Sequence, residues 1–340
     1  MKKEKDRRRV VLVALLAVSA LVLAGAPLIG MRSVPLDALF RIFSGGLDTD
    51  IIWKIRVPRV CVSFLAGAAL ALSGLAFQTL FRSPLAEPFT LGVASGASLG
   101  AVIYIRLGLV FSIAGLSGIS FFAFAGAILS ILLVYGLTRL AKGFNTGTML
   151  LSGVAISFFF SSLILFTQYM SDFARSAHMM RWLMGGLEVA GFESVLNVAP
   201  FVVVGSVVML LLTHELNLLA AGEEIAISRG VDAAKTMKVL FLGSSAMVGS
   251  VVAVCGPIGF VGIMVPHMCR LIIGVDHRYL TPASLLFGGS FLTLCDTVAR
   301  TIIAPAEIPV GIITALLGGP FFIWLLLGNP LPGKRTEGKT

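Results

Sequence analysis

The chain has 340 residues, 57% hydrophobic and 13% charged, with a mean hydropathy of +0.98; a soluble domain carries about 25% charged residues, so an ordinary soluble enzyme or binding module is excluded. The apolar residues fall in long blocks without alternation, which excludes barrel strands and, because lipid satisfies no backbone polar group, leaves helices. The net charge of +9 does not point to nucleic acid, because Lys and Arg collect at block ends and build no basic, aromatic-interleaved face.

Residues 2–9 (KKEKDRRR) precede an apolar run that reaches about Gly30. Ala24-Gly25-Ala26 resembles a signal-cleavage site, but the run of about 20 residues exceeds the usual 7–15 of a secretory signal and reads as a retained first span. Spans are predicted near 10–30, 60–80, 91–107, 118–140, 147–170, 194–213, 236–255, 258–273, 281–303 and 310–327. No linker interrupts them, so residues 1–340 read as one all-α integral membrane domain of about ten transmembrane helices. With the N-terminus in the cytoplasm, the inner segments carry the larger share of the 26 Lys and Arg, which places both termini inside. The bias is under two to one, so the outer basic residues need a reason of their own. The long outer segments 31–58 and 171–193 mix polar and apolar residues and read as short interfacial helices.

Several residues carry competing readings. Arg56 and Arg59 flank Val57-Pro58 at the outer mouth of the second span; they fit an acidic partner through forked contacts or lipid headgroups through snorkelling. Gly92, Gly96 and Gly100 form a small-xxx-small stripe for close helix contact. In the inner segment 214–235, Glu223 and Glu224 open a short helix, Arg229 lies near its end and Gly230 permits a sharp turn. That pattern suits docking of a cytoplasmic partner and an ordinary polar loop equally well. Asp296 and Arg300 are four apart in the ninth span and form an intramembrane ion pair, structural or functional. His267, beside Met268 and Cys269, and His178-Met179-Met180 lack a second ligand cluster, so packing outweighs metal binding. Cys61, Cys255, Cys269 and Cys295 form no CxxC pair and read as buried thiols. Gly333 to Thr340 matches a phosphate-loop pattern formally, but no helix follows to hold phosphate, so no ATP hydrolysis is assigned to this chain.

The stretch from Arg56 to Ala101, RVPRVCVSFLAGAALALSGLAFQTLFRSPLAEPFTLGVASGASLGA, resembles the signature region of the iron-chelate and vitamin B12 importer permeases. GEEIAISRGV (222–231), GPIGFVGIMVPHMCRL (256–271), DHRYLTPAS (276–284), CDTVAR (295–300) and EIPVGIITALLGGPFFIWLL (307–326) extend the resemblance in order along the chain. It implies a ten-helix permease in the bacterial cytoplasmic (inner) membrane, paired with a second permease copy, identical or paralogous. Two ATPase subunits inside would use ATP and Mg, and a substrate-binding protein would sit outside. The permease itself would be no enzyme and bind no cofactor. By the resemblance, Glu223, Glu224, Arg229 and Gly230 dock the ATPase. Arg56, Arg59 and Arg300 meet acidic residues of the binding protein. The fifth and tenth spans line the pathway, with a gate at Asn145-Thr146-Gly147, where the match to the vitamin B12 permease is poor.

The expected mechanism is alternating access powered by the ATPases, with a ferric siderophore, haem or cobalamin as cargo. An ion-coupled secondary transporter is the alternative, and it would work without an ATPase. A membrane enzyme is the third class, and the four scattered His give it no catalytic cluster.

Overall fold

The computed structural model describes residues 2–30, 46–87, 91–113, 116–141, 146–187 and 191–328. Each predicted span falls on a helix: α1 (Lys2–Gly25), α2 (Val57–Leu80), α3 (Val93–Leu107), α4 (Gly118–Leu140), α5 (Thr146–Tyr169), α7 (Glu193–Leu211), α10 (Ala233–Cys255), α11 (Val261–Ile273), α12 (His277–Ala299) and α13 (Val310–Gly328). Shorter helices among the described residues include α6 (Phe173–Leu183), α8 (Thr213–Ala221) and α9 (Glu223–Ser228). A two-residue antiparallel pairing, Ser112–Ile113 with Leu116–Ser117, precedes α4.

Among the described residues, seven helices are long and apolar enough to cross a membrane; α3, α11 and α13 are shorter apolar helices. With 13 residues, α11 rises only about 20 Å of a core roughly 30 Å thick. The non-helical backbone that precedes it includes buried Gly256 and Ile258, and irregular chain at membrane depth is tolerated where protein covers it. The segment before the second span is corrected in part: Leu47–Arg56 is no separate interfacial helix but runs through a π-turn into α2, making 34 continuous residues. The second outer segment does contain a short helix, α6, whose N-cap Asp172 accepts from the Arg175 N–H at 2.9 Å.

α2 is the central element, with most of its residues buried from Pro58 to Leu80. Its small residues allow backbones to meet. A Cβ at Gly67 would strike the carbonyl oxygen of Gly288 on α12, and one at Gly74 that of Gly262 on α11. The predicted small-residue stripe on α3 does the same work, with Gly96 against the Gly126 carbonyl and Gly100 against that of Phe122 on α4. Hydroxyls reinforce these contacts: Ser63 and Thr293 lie 3.0 Å apart, and Ser290 donates to Ser19 at 2.8 Å. Such packing replaces the hydrophobic driving force that lipid does not supply between helices.

Gly74→Val should force α2 from α11 and cost about 1–3 kcal/mol or more by overpacking. Gly136→Ala, where nothing among the described residues lies within 4 Å, should be neutral. Thermal midpoints in detergent measure both, and equal midpoints would refute the close-contact reading.

Candidate functional site: a buried charge cluster and an exposed helical segment

At one end of the bundle, α2 and α12 bring together the charged residues that their sequences scatter. Asp296 is fully buried (0% exposed), and Arg56, Arg59 and Arg300 are 6%, 9% and 5% exposed. Arg59 is the hub. Its Nε donates to both oxygens of Asp296 at 3.1 Å, its Nη2 to Asp296 Oδ1 at 2.8 Å, and its Nη1 to Glu307 Oε2 at 2.8 Å. Arg300 Nη2 donates to the Ala26 carbonyl at 2.6 Å, and Arg56 Nη1 donates to the Pro27 carbonyl at 3.1 Å. Both guanidiniums therefore hold the short 3₁₀ turn that follows α1.

Two sequence expectations gain detail here. Asp296 and Arg300, read as a pair on one helix, do form an ion pair at 3.8 Å, although Arg300 Nε has no hydrogen-bond partner among the described residues. Asp296 is chiefly the counterion of Arg59, from another helix. The three arginines are buried in the bundle end. A guanidinium in a low-dielectric setting must be paired, and the chain itself supplies the acceptors. Glu307 is the exception in exposure: its side chain is 40% exposed, so the Arg59–Glu307 contact is where the cluster reaches the rim. A cavity of about 450 Å³ opens there, lined by Arg59, Glu307, His178, Arg181 and Trp182 among others.

At the opposite end, α9 stands between Gly222 (φ +146°) and Gly230 (φ +82°), the helix–Gly–helix arrangement foreseen in the sequence. Glu223 and Glu224 occupy its first turn, where the helix dipole favours them. Glu224, Arg229 and Gly230 are exposed. Sequence reading missed the two apolar residues between them: Ile225 is 47% and Ile227 58% exposed while Ala226 is buried. Exposed apolar residues rimmed by charge mark a contact surface. α8 is tied to the bundle by Asn217. Its Nδ2 donates to Asp276 Oδ1 and its Oδ1 accepts from the His277 N–H, both at 2.9 Å, so Asn217 helps to cap α12.

Glu87, in the loop after α2, was also missed. Burial pushes its carboxyl up to about 7, against a hydrogen bond from the Phe260 backbone N–H that lowers it. Phe260 takes a left-handed φ of +70°, and its ring fills the space beside Gly318 and lies 6.3 Å from that of Phe322, both on α13. The expected gate is only partly placed: Asn145 lies outside the described residues, while Thr146 and Gly147 begin α5. His267 packs edge-on against Phe321 of α13 at 5.9 Å.

Residues 10–328 match the FecCD transport family. The chain is 44% identical over 276 residues to the cobalamin import system permease protein BtuC of Halobacterium salinarum, covering 81% of this chain and 73% of that one. It is 38% identical over 298 residues to the hemin transport system permease protein HmuU of Yersinia pestis, covering 86% and 89%. Among solved structures it is similar to a metal-chelate type ABC transporter in an inward-facing conformation, with TM-score 0.83, 30% identity and coverage of 94% and 99%.

Arg59→Ala should strand Asp296 and cost about 3–5 kcal/mol, whereas Arg59→Met with Asp296→Leu should recover most of that; thermal melts of the two proteins side by side test it. A second expectation concerns pH. The folded state favours neutral Glu87, so this residue's contribution to stability falls as pH rises from its ordinary value near 4.5 to about 7 and then levels off. Melting midpoints at pH 5 and pH 8 should converge in Glu87→Gln relative to the parent, and an unchanged difference would refute the burial argument.

Proposed function

The chain belongs to the FecCD transport family, and from that premise we propose that it carries a bulky metal chelate, an iron chelate or a cobalamin, across the bacterial inner membrane with both termini in the cytoplasm. It is an integral membrane permease subunit of the ABC importer kind, similar over 81% and 86% of its length to import permeases named for cobalamin and for hemin. Two partner ATPases supply ATP and Mg chemistry, a second permease copy completes the passage, and an external binding protein delivers the cargo.

The observation that carries the coupling is α9. A six-residue helix held between two glycines, with an acidic first turn and protruding Ile225 and Ile227, is a compact knob that a cytoplasmic partner can grip by apolar burial and charge together. Ile225 and Ile227 join Glu223, Glu224, Arg229 and Gly230 in that contact. Closure of the ATPase pair moves α9, and the movement passes through α8 and Asn217 to α12. The pathway helices α5 and α13 expose large apolar residues, among them Leu151, Phe158, Phe159, Leu316 and Trp324, which suit a partner copy and a weakly binding passage with a gate around Asn145, Thr146 and Gly147. On the other face, a carboxylate of the binding protein reaches Arg59 by replacing Glu307 at the rim, with Arg56 and Arg300 holding the frame beneath.

Glu223→Lys with Glu224→Lys should cut uptake at least about tenfold, roughly the loss of one charge-assisted contact, while the protein still reaches the membrane. The assay is nanomolar uptake of labelled ferric siderophores, haem and cobalamin in a strain lacking the gene, complemented by parent or variant. Loss of one cargo in the deletion strain names the substrate. Full uptake by the variant would remove α9 from the coupling.

A further inference from the structure

α1 contributes little to the packed interior: Val10, Val13, Leu16 and Leu21 along it are exposed. Yet polar contacts tie it at its inner end, its middle and its outer end, and at each level the partner is α12 or the end of α11 that leads into it. At the inner end Arg7 donates to the Ile272 carbonyl at 3.3 Å. Arg8 lies 3.7 Å from the Asp276 carboxylate and 5.6 Å from the centre of the Tyr279 ring. In the middle, Ser19 donates to the Leu286 carbonyl at 3.2 Å, with the Ser290 hydroxyl 2.8 Å away. At the outer end Arg300 holds the Ala26 carbonyl at 2.6 Å.

The register of these ties is nearly constant. Ser19 and Ser290 are 271 residues apart, the same separation as Arg8 and Tyr279, while Ala26 and Arg300 are 274 apart. The two helices therefore run parallel without slipping from Arg8 to Ala26, about 27 Å of helix rise, close to the hydrocarbon thickness of roughly 30 Å. Polar contacts between helices hold such a pair together where lipid supplies no hydrophobic drive. A pair pinned at three levels resists both bending and sliding better than either helix alone.

The inner joint is Asp276. Its Oδ1 accepts from Asn217 of α8 at 2.9 Å, and its Oδ2 faces Arg8 Nη1, whose Nη2 is held by Glu4 at 2.7 Å. One carboxylate thus holds α8 with one oxygen and α1 with the other, and α8 leads through Gly222 into α9. The outer joint is the charge cluster, where Arg300 and Arg56 grip the turn after α1.

We propose that α1 takes part in coupling: with α12 it forms a two-helix strut that carries displacement between the outer arginine cluster and α8–α9, and Arg8 is the positioning residue of its inner joint. The proposal rests on the assignment of α9 to the ATPase contact and of the outer cluster to the binding protein. A carboxylate that engages the cluster shifts the Ala26 turn and the last turn of α12 together, and the pinned pair passes that shift along its axis. Without Arg8, Asp276 still caps α12 and holds Asn217, but α1 is released at its inner end and the shift dissipates there.

The first test uses the full chain alone in lipid nanodiscs and reads hydrogen exchange in peptides covering α8 and α9. Arg300→Gln loosens the outer joint and should speed that exchange at least about twofold, the low end of coupling along packed networks. In an Arg8→Gln background the same substitution should add nothing, and Arg8→Lys, which keeps the charge, should restore the response. Ser19→Ala with Ser290→Ala, which cuts the strut at mid-membrane, should abolish the response as well. Tyr104→Phe removes the bond to the Phe111 N–H beside α3, outside the strut, and should leave α8 and α9 unchanged. The melt of each variant controls for folding. A response that survives both Arg8→Gln and the serine pair would overturn the proposal. So would equal effects of Tyr104→Phe and Arg300→Gln, the mark of general loosening. The second test uses the complex with its ATPase and binding protein. There Arg8→Gln should keep basal ATP hydrolysis and lose at least about half of the stimulation by the binding protein, the same twofold scale; full stimulation would refute the role of Arg8. Exchange coupling in a parent chain whose complex shows no stimulation would overturn the partner assignments and leave the strut standing.

Discussion

A carboxylate buried at the end of a membrane helix sets the terms for the rest of this structure. Asp296 is stable there only because Arg59 reaches it with three donor contacts, and that pairing fixes α2 against α12 in one register. The levels below follow from it. Ser63 meets Thr293, and Gly67 meets Gly288, each about one turn further along two antiparallel helices. A slip of one residue would turn glycine away from glycine and drive a side chain into a backbone oxygen, a loss that interior packing does not absorb. Arg300 and Arg56 extend the same constraint to the turn after α1.

α12 carries polar clusters at both of its ends. Its N-terminus is capped with the help of Asn217 from α8, and its C-terminal turn holds Asp296 and Arg300. α8 leads through Gly222 into α9. A displacement of α9 therefore has a continuous packed route to the charge cluster, in which each link is a hydrogen bond or a helix body and the pliable points are glycines. α5 and α13 stand apart from this frame, with large apolar residues exposed along their length.

The helices were legible in the sequence because lipid imposes a crude rule: block length and the absence of charge suffice, and all ten predicted spans fall on helices. The glycine stripe on α3 was legible for a similar reason, since its spacing repeats on one face. Partner choice was not. Arg59 lies 237 residues from Asp296, while Arg300 sits one helical turn away, so local spacing found the pair at 3.8 Å and missed the closer partner. Glu87 gave no signal in the sequence, because the Phe260 N–H that bonds it lies far along the chain. Ile225 and Ile227 were masked by their charged neighbours. In a short helix, which side faces outward is set by the bundle beneath it, and Ala226, between them, is the residue that turns inward.

The long interval between Arg59 and Asp296 has a consequence for biogenesis. At roughly 5–20 residues per second, about 10 to 50 seconds separate the synthesis of α2 from that of its counterion. Throughout that time α2 is apolar enough to leave the translocon, yet carries guanidiniums that hydrocarbon rejects. The half-made protein must keep that end of α2 at the headgroup layer or beside the insertion machinery until α12 arrives. The last stage of assembly is then the descent of an arginine onto a carboxylate, and a chain truncated before α12 would present a helix marked, by its unpaired charge, for quality control.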